Sequence, residues 1–228
     1  MKINFTLWKT ELYGGNRVIF EVANRLKERD HEVTITSLGK GNEHQWFPLK
    51  VSVKYVKIPL TIEKLNYYLP KLKLYFNFDY IEPLSRAIPE CDISVATFFL
   101  TAFAVNRNPR GIPFYYVQHY EPITGLRFSD PYLSRMAEET YYLPFNVITV
   151  SNWLKELLEK KFGKKPYLVL NGVNTDVFYP REKRKSKHRK LVMSFLRGYK
   201  VRGDTDILNA ISIVSRKRPD AEFILIGR

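Results

Sequence analysis

Val147-Ile148-Thr149-Val150-Ser151-Asn152-Trp153 reads as a short buried strand passing straight into a helix start, and the same unit recurs along the chain. Ser151 is a residue type whose hydroxyl accepts a hydrogen bond from the first helical turn, and Leu154, Leu157 and Leu158 then form one apolar face over a helix Ser151–Phe162. Pro166–Leu170 supplies the next strand. Toward the N-terminus, Lys2–Leu7 is an apolar run, and Asn16–Arg29 follows with Val18, Val22 and Leu26 on one helical stripe. His31–Thr36 and Val51–Ile58 alternate as strands do, whereas Asp92–Thr97, Pro113–Gln118 and Asn146–Val150 are short β-rich runs bounded by turn residues. Residues 62–78 carry Leu65, Leu69, Leu72 and Phe76 at helical spacing, interrupted by Pro70. Strand and helix in alternation predict an α/β fold, a doubly wound Rossmann-like parallel sheet with helices on both faces.

Onward from Leu170 the pattern closes one domain and opens another. Asn171-Gly172-Val173-Asn174 leads through Asp176 and Phe178 into Arg-Glu-Lys-Arg-Lys-Ser-Lys-His-Arg-Lys at 181–190, and then Leu191-Val192-Met193-Ser194-Phe195-Leu196-Arg197-Gly198 begins a new strand. A helix over 204–217, with Ile207, Leu208, Ile211 and Val214, and a strand Ala221–Ile226 complete the sequence. The expected organisation is a first domain at 1–178, a basic linker at 179–190 and the first strand–helix–strand of a partial second Rossmann-like domain at 191–228. Three elements cannot cover both faces of a sheet. The second piece is therefore expected either to dock on the first domain or to continue in a longer protein.

The formal net charge is +14, of which 181–190 contributes +6 from seven basic residues and one acidic. That run is either a solvated linker or a source of attraction to anionic lipid or nucleic acid. No recognition motif accompanies it, so nucleic acid is not expected as a partner. The remaining charge is spread along the chain and suits a polyanionic substrate or a membrane surface. Cys91 is the single cysteine, which excludes an internal disulfide and fits a reducing compartment; it adjoins an apolar run and is read as packing. The four histidines (His31, His44, His119 and His188) are scattered, so no zinc spacing is present and no metal is expected. No leader and no apolar stretch of about 20 residues is seen, which predicts a cytoplasmic protein, peripheral to a membrane at most.

Three motifs carry candidate chemistry. Tyr13-Gly14-Gly15-Asn16-Arg17 lies between the first strand and the first helix. It is either a plain tight turn or a place where backbone N–H groups meet an anion. The spacing is not Gly-x-Gly-x-x-Gly, which argues against a dinucleotide cofactor. Tyr115-Tyr116-Val117-Gln118-His119-Tyr120-Glu121-Pro122 is a strand ending in a polar cluster. His119 can deliver an imidazole to a ligand or serve as a structural hydrogen-bonder. Leu196-Arg197-Gly198-Tyr199-Lys200-Val201-Arg202-Gly203 concentrates cations after the strand that opens the second domain, as a phosphate site or as a solvated basic turn.

Taken in order, these motifs and the crossing at Asn171–Phe178 resemble retaining glycosyltransferases of family four, which have the two-domain GT-B fold. The resemblance implies transfer of a sugar from a nucleotide diphosphate sugar, without metal or other cofactor, to a saccharide or lipid-linked acceptor. It implies that Gly14 and Gly15 give close backbone contact in the interdomain cleft and that His119 contacts the donor sugar. Arg197 and Arg202 would then neutralise the diphosphate. Arg202-Gly203 stands where the family has Lys-Gly, so either Arg202 keeps the charge or Lys200 supplies it. Glu121 is a candidate for acceptor binding, with helix capping or a salt bridge as alternatives. The Gln-x-Tyr-Glu-Pro wording resembles that of polysaccharide-building members. The family's paired donor-side glutamates have no counterpart in these 228 residues. Weak or absent transfer is therefore expected of this chain, and the alternative function is a non-catalytic acceptor-binding or partner half that completes a separate donor-domain chain. At 61–80, Lys64, Lys71 and Lys73 interleave with Tyr67, Tyr68, Tyr75, Phe76 and Phe78, which suits either a membrane interface or an ordinary amphipathic helix.

Overall fold

In a computed structural model of the chain, residues 1–57, 80–123, 131–180, 190–196 and 203–227 are described. They form two compact units, Met1–Gly172 and Val173–Arg228. The predicted helix at 62–78, most of the basic run at 181–190 and the turn at 197–202 lie outside the described residues.

The first unit is organised by strands β1 (Lys2–Leu7), β2 (Glu32–Leu38), β3 (Ser52–Val56), β4 (Ile93–Ala96), β5 (Ile112–Val117), β6 (Asn146–Thr149) and β7 (Tyr167–Leu168). All are parallel to their neighbours, in the order β3-β2-β1-β4-β5-β6-β7. Its helices are α1 (Gly14–Lys27), α2 (Ile81–Ala87), α3 (Phe99–Arg107), α4 (Pro131–Thr140) and α5 (Asn152–Phe162). The period-2 alternation of strand side chains splits the core between the two faces of the sheet. On β5, Tyr116 joins Ile3, Phe5, Leu7, Val33 and Ile35 beneath α1, while Tyr115 and Val117 join Val147, Leu154, Leu158 and Phe162 beneath α5. Helices on both faces are what the sequence pattern predicts.

The deciding unit behaves as read. Ser151 Oγ accepts the Leu154 N–H at 3.3 Å, and Gly163, left-handed at φ 63°, ends α5. On α1 the most buried positions are Ile19, Phe20, Ala23 and Asn24, with Val18, Val22 and Leu26 on the flank of the same cluster. The seat of α1 is shifted because Asn24 is held inward: its amide donates to Pro48 O at 3.0 Å and its oxygen accepts Lys50 N at 2.7 Å. Helices α2, α3 and α4 go beyond the sequence reading. They are short, and the apolar residues of α3 run nearly all round it, leaving no one-sided period to detect.

The second unit contains β8 (Lys190–Leu196) and β9 (Ala221–Gly227), paired in parallel, and α6 (Asp204–Lys217). No residue of α6 is fully buried, and Leu191, Met193, Phe195, Ile224, Leu225 and Ile226 are 41–61% exposed. Phe178 of the crossing segment is exposed.

Candidate active site

The strand order reverses between β1 and β4, and the crevice outside the carboxyl ends of parallel strands at such a point is where α/β sheets bind ligands. The loop leaving β1 is pinned on several sides. Thr10, fully buried, bonds the Tyr55 hydroxyl at 2.7 Å, and its carbonyl accepts Trp46 Nε1 at 2.8 Å. The Asn16 amide donates to the carbonyls of Lys9 and Glu11 at 2.9 and 2.8 Å. The loop thereby delivers Gly14 as the first residue of α1.

The first backbone bond of α1 runs from Arg17 N to Tyr13 O at 3.0 Å, so the N–H groups of Gly14, Gly15 and Asn16 precede it. Tyr13 offers no side-chain cap, and the first turn carries no acidic residue. Those N–H groups and the positive end of the helix dipole suit an anion. Neither glycine has a positive φ, so their smallness matters through space rather than through backbone conformation. Open space surrounds a Cβ built at Gly14, and one at Gly15 lies 3.3 Å from the Gln118 amide.

That amide joins two of the sequence motifs. Gln118, just beyond β5, donates to Gly15 O at 3.3 Å and so ties the loop that bears the next residue, the exposed His119, to the start of α1 at the carboxyl ends of the strands. Gln118 was not singled out from sequence as a site residue; its position at the end of a buried strand beside His119 was the available signal.

Glu121 has a different setting. It is 1% exposed, its Oε2 accepts the N–H of Phe99, the first residue of α3, at 2.5 Å, and its own N–H donates to the Tyr141 hydroxyl at 3.1 Å. Of the three roles read from sequence, helix capping is the one observed. Acceptor binding is set aside because a carboxyl so enclosed has no surface to offer. Burial is the largest influence on its pKa, raising it to about 8 against the lowering effects of the Tyr115 hydroxyl and the Phe99 amide.

Arg197 and Arg202 lie outside the described residues. Gly203, left-handed at φ 77°, precedes α6, whose first turn holds Asp204 and Asp206. Those carboxylates already complement the positive end of the helix. Among the described residues, no group of three or more His, Cys, Asp or Glu side chains is placed to hold a metal ion, and no helix is long and apolar enough to cross a membrane. Cys91 is partly buried, donates to Arg110 O, and its thiol pKa is raised chiefly by burial, which fits the packing role. A cavity of about 310 Å³ on α3 and α4, lined by Phe103, Tyr132, Arg135, Met136 and Glu139, contains none of the candidate site residues.

The profile of Glycosyltransferase Family 4 matches residues 13–177. No curated protein matches the sequence. Among solved structures, the catalytic domain of starch synthase IV from Arabidopsis thaliana, bound to ADP and acarbose, superposes with a TM-score of 0.63 at 12% identity, over 99% of this chain and 68% of that one. A mutant of S. aureus TarM, in complex with fondaparinux, alpha-GlcNAc-glycerol and UDP, gives 0.67 at 7% identity, over 100% and 72%. A UDP-N-acetylglucosamine 2-epimerase candidate from Listeria monocytogenes gives 0.63 at 10% identity, over 99% and 62%. At such identities the likeness is one of fold, and this chain spans about two thirds of the length of each of these neighbours.

Proposed function

Given that the chain belongs to glycosyltransferase family 4, we propose that it supplies the acceptor-side unit, and the opening of the donor-side unit, of a retaining, metal-independent sugar transferase. The donor is a nucleotide diphosphate sugar and the acceptor a saccharide or lipid-linked hydroxyl, met in the cytoplasm or at a membrane surface. The observation that carries this reading is the open start of α1 at Gly14 and Gly15, beside the sheet's reversal point and tied by Gln118 to the loop bearing His119. The acceptor oxygen bonds to the anomeric carbon, the bond from that carbon to the diphosphate breaks, and the acceptor's proton leaves with the nucleotide diphosphate. His119 orients the sugar. The α1 amides, with Arg197 and Arg202, offset the charge that develops on the departing group.

The test is nucleotide diphosphate release and sugar transfer by the purified chain, over a panel of nucleotide sugars with a lipid-phosphate acceptor. Weak turnover that falls further in both Arg197→Ala and His119→Ala is the expected result. Turnover indifferent to both removes these residues from the site. A folded, monodisperse chain with no turnover favours the second reading, a non-catalytic half that completes a separate donor-domain chain. The apolar side chains exposed on β8 and β9 support that reading, since such surfaces fit a partner.

Gly15→Ala separates binding from folding. The added methyl meets only the end of the Gln118 side chain, which can swing away, and alanine is the better helix former by ~1 kcal/mol. The expected result is an unchanged or higher Tm together with at least roughly tenfold weaker binding of a nucleoside diphosphate, an effect of ~1.4 kcal/mol, read by calorimetry. Equal affinity in both proteins would mean that no phosphate approaches the backbone there.

A further inference from the structure

One buried side chain links two βα units next to the candidate site. Glu121 lies two residues past His119, yet its carboxyl holds the first amide of α3, the helix that follows β4. Among the described residues, the groups acting on it are the Tyr115 hydroxyl from β5, the Tyr141 hydroxyl just after α4 and the Phe99 amide from α3, none of them a cation. Charged groups stand one shell further out. There Tyr120, Glu138 and Lys161 bond to one another, and the Tyr120 ring stacks on Tyr141 at 6.1 Å.

Among the described residues, two buried polar atoms at this place have no partner of hydrogen-bond geometry: Glu121 Oε1 and Tyr115 Oη. A carboxylate here meets no counter-charge among the described residues and is enclosed by aromatic rings, which is costly. A carboxylic acid carries no charge, and its O–H and that of Tyr115 can serve each other in either direction.

We infer that Glu121 is a positioning residue that works as a neutral acid: the uncharged carboxyl sits beside the Tyr115 hydroxyl while Oε2 holds the Phe99 amide, fixing the Gln118–His119 loop to the start of α3. The inference rests on the proposed function only for the importance of that loop. Burial, which raises the carboxyl to about 8, keeps the acid form through neutral pH. The sign follows from the ordinary value of 4.5: the folded protein holds a proton that the unfolded chain releases. The stabilisation is complete below pH 4.5, declines as pH rises and has been lost above about 8.

Thermal unfolding from pH 5 to 9 and amide exchange at Phe99 and residues 118–121 test this in the full chain. Glu121→Gln keeps an acceptor for Phe99 and a donor for Tyr115. It is expected to flatten the decline of Tm with pH and to keep exchange slow above pH 8, where the unsubstituted chain opens. Glu121→Ala is expected to exchange fast at every pH. A Glu121→Gln profile parallel to that of the unsubstituted chain, or one as damaged as Glu121→Ala, would overturn the inference. If Glu121→Gln does not fold, the carboxyl's carbon NMR titration in the unsubstituted chain decides: a midpoint of about 8 supports the acid form, and one near the ordinary 4.5 sinks the idea. None of these readouts uses sugar transfer, so a chain without turnover counts against the proposed function and leaves this inference to its own result.

Discussion

Gly111→Ala is expected to destabilise the first unit by ~4 kcal/mol, lowering its Tm by roughly 10 °C. Gly111 is left-handed at φ 62°, and a Cβ built on it would lie 2.3 Å from the carbonyl oxygens of both Cys91 and Asp92. These are backbone atoms at the foot of β4, where Asp92 also donates to Lys2 O and accepts from Ile112 N, each at 2.8 Å, so they cannot move without disturbing three strands. Gly163 is the internal control. It has nearly the same φ, 63°, with nothing within 4 Å of its built Cβ, so Gly163→Ala meets only the conformational penalty of about 1 kcal/mol. Denaturant melts of the two variants measure the difference. Equal losses would show that backbone conformation, not the crowding at Asp92, makes Gly111 necessary. Because β5 starts at Ile112 and ends beside His119, Gly111→Ala should also weaken ligand binding in step with its stability.

Arg197→Ala is expected to lower sugar transfer by ~10²–10³-fold, whether the chain acts alone or with a donor-side partner. A departing nucleotide diphosphate carries two negative charges, and a transferase without metal must offset them with fixed cations and helix dipoles. The α6 terminus faces its own Asp204 and Asp206, and under the proposed function that duty in the second unit falls to Arg197. Arg197→Lys keeps the charge but loses the planar fork that grips phosphate at two points, so an intermediate loss is expected. Turnover measured at saturating donor separates this from a change in affinity. A fall of less than about threefold in Arg197→Ala would return the segment to the alternative of a solvated basic turn.

The sequence alone determined what depends on near neighbours. Ser151 before a leucine stripe makes a capped helix whatever surrounds it, and a run such as Asn146–Thr149 is too short and too β-rich to be anything but a buried strand. Strung together, such units allow little except a parallel sheet covered on both faces, and the ordered motifs at Gly14, His119 and Asn171 carried the family likeness that the profile match bears out. The apolar periodicity failed where burial is nearly all-round, as in α3, and shifted on α1, where Asn24 is drawn inward by Lys50 and Pro48. What only the tertiary structure decided are relations between residues far apart in the chain. Glu121, a charged residue by composition, is enclosed and caps a helix that begins 22 residues earlier. Asn4 and Thr6, polar residues in an apolar run, are buried with partners: Thr34 and Thr36 of the neighbouring strand donate their hydroxyls to the Asn4 amide oxygen, and the Asn4 amide donates to the Thr6 hydroxyl. Gln118 belongs with Gly15 although they stand 103 residues apart. No local pattern encodes such pairings, since each is fixed by strand order, and strand order is set only when the whole sheet has formed.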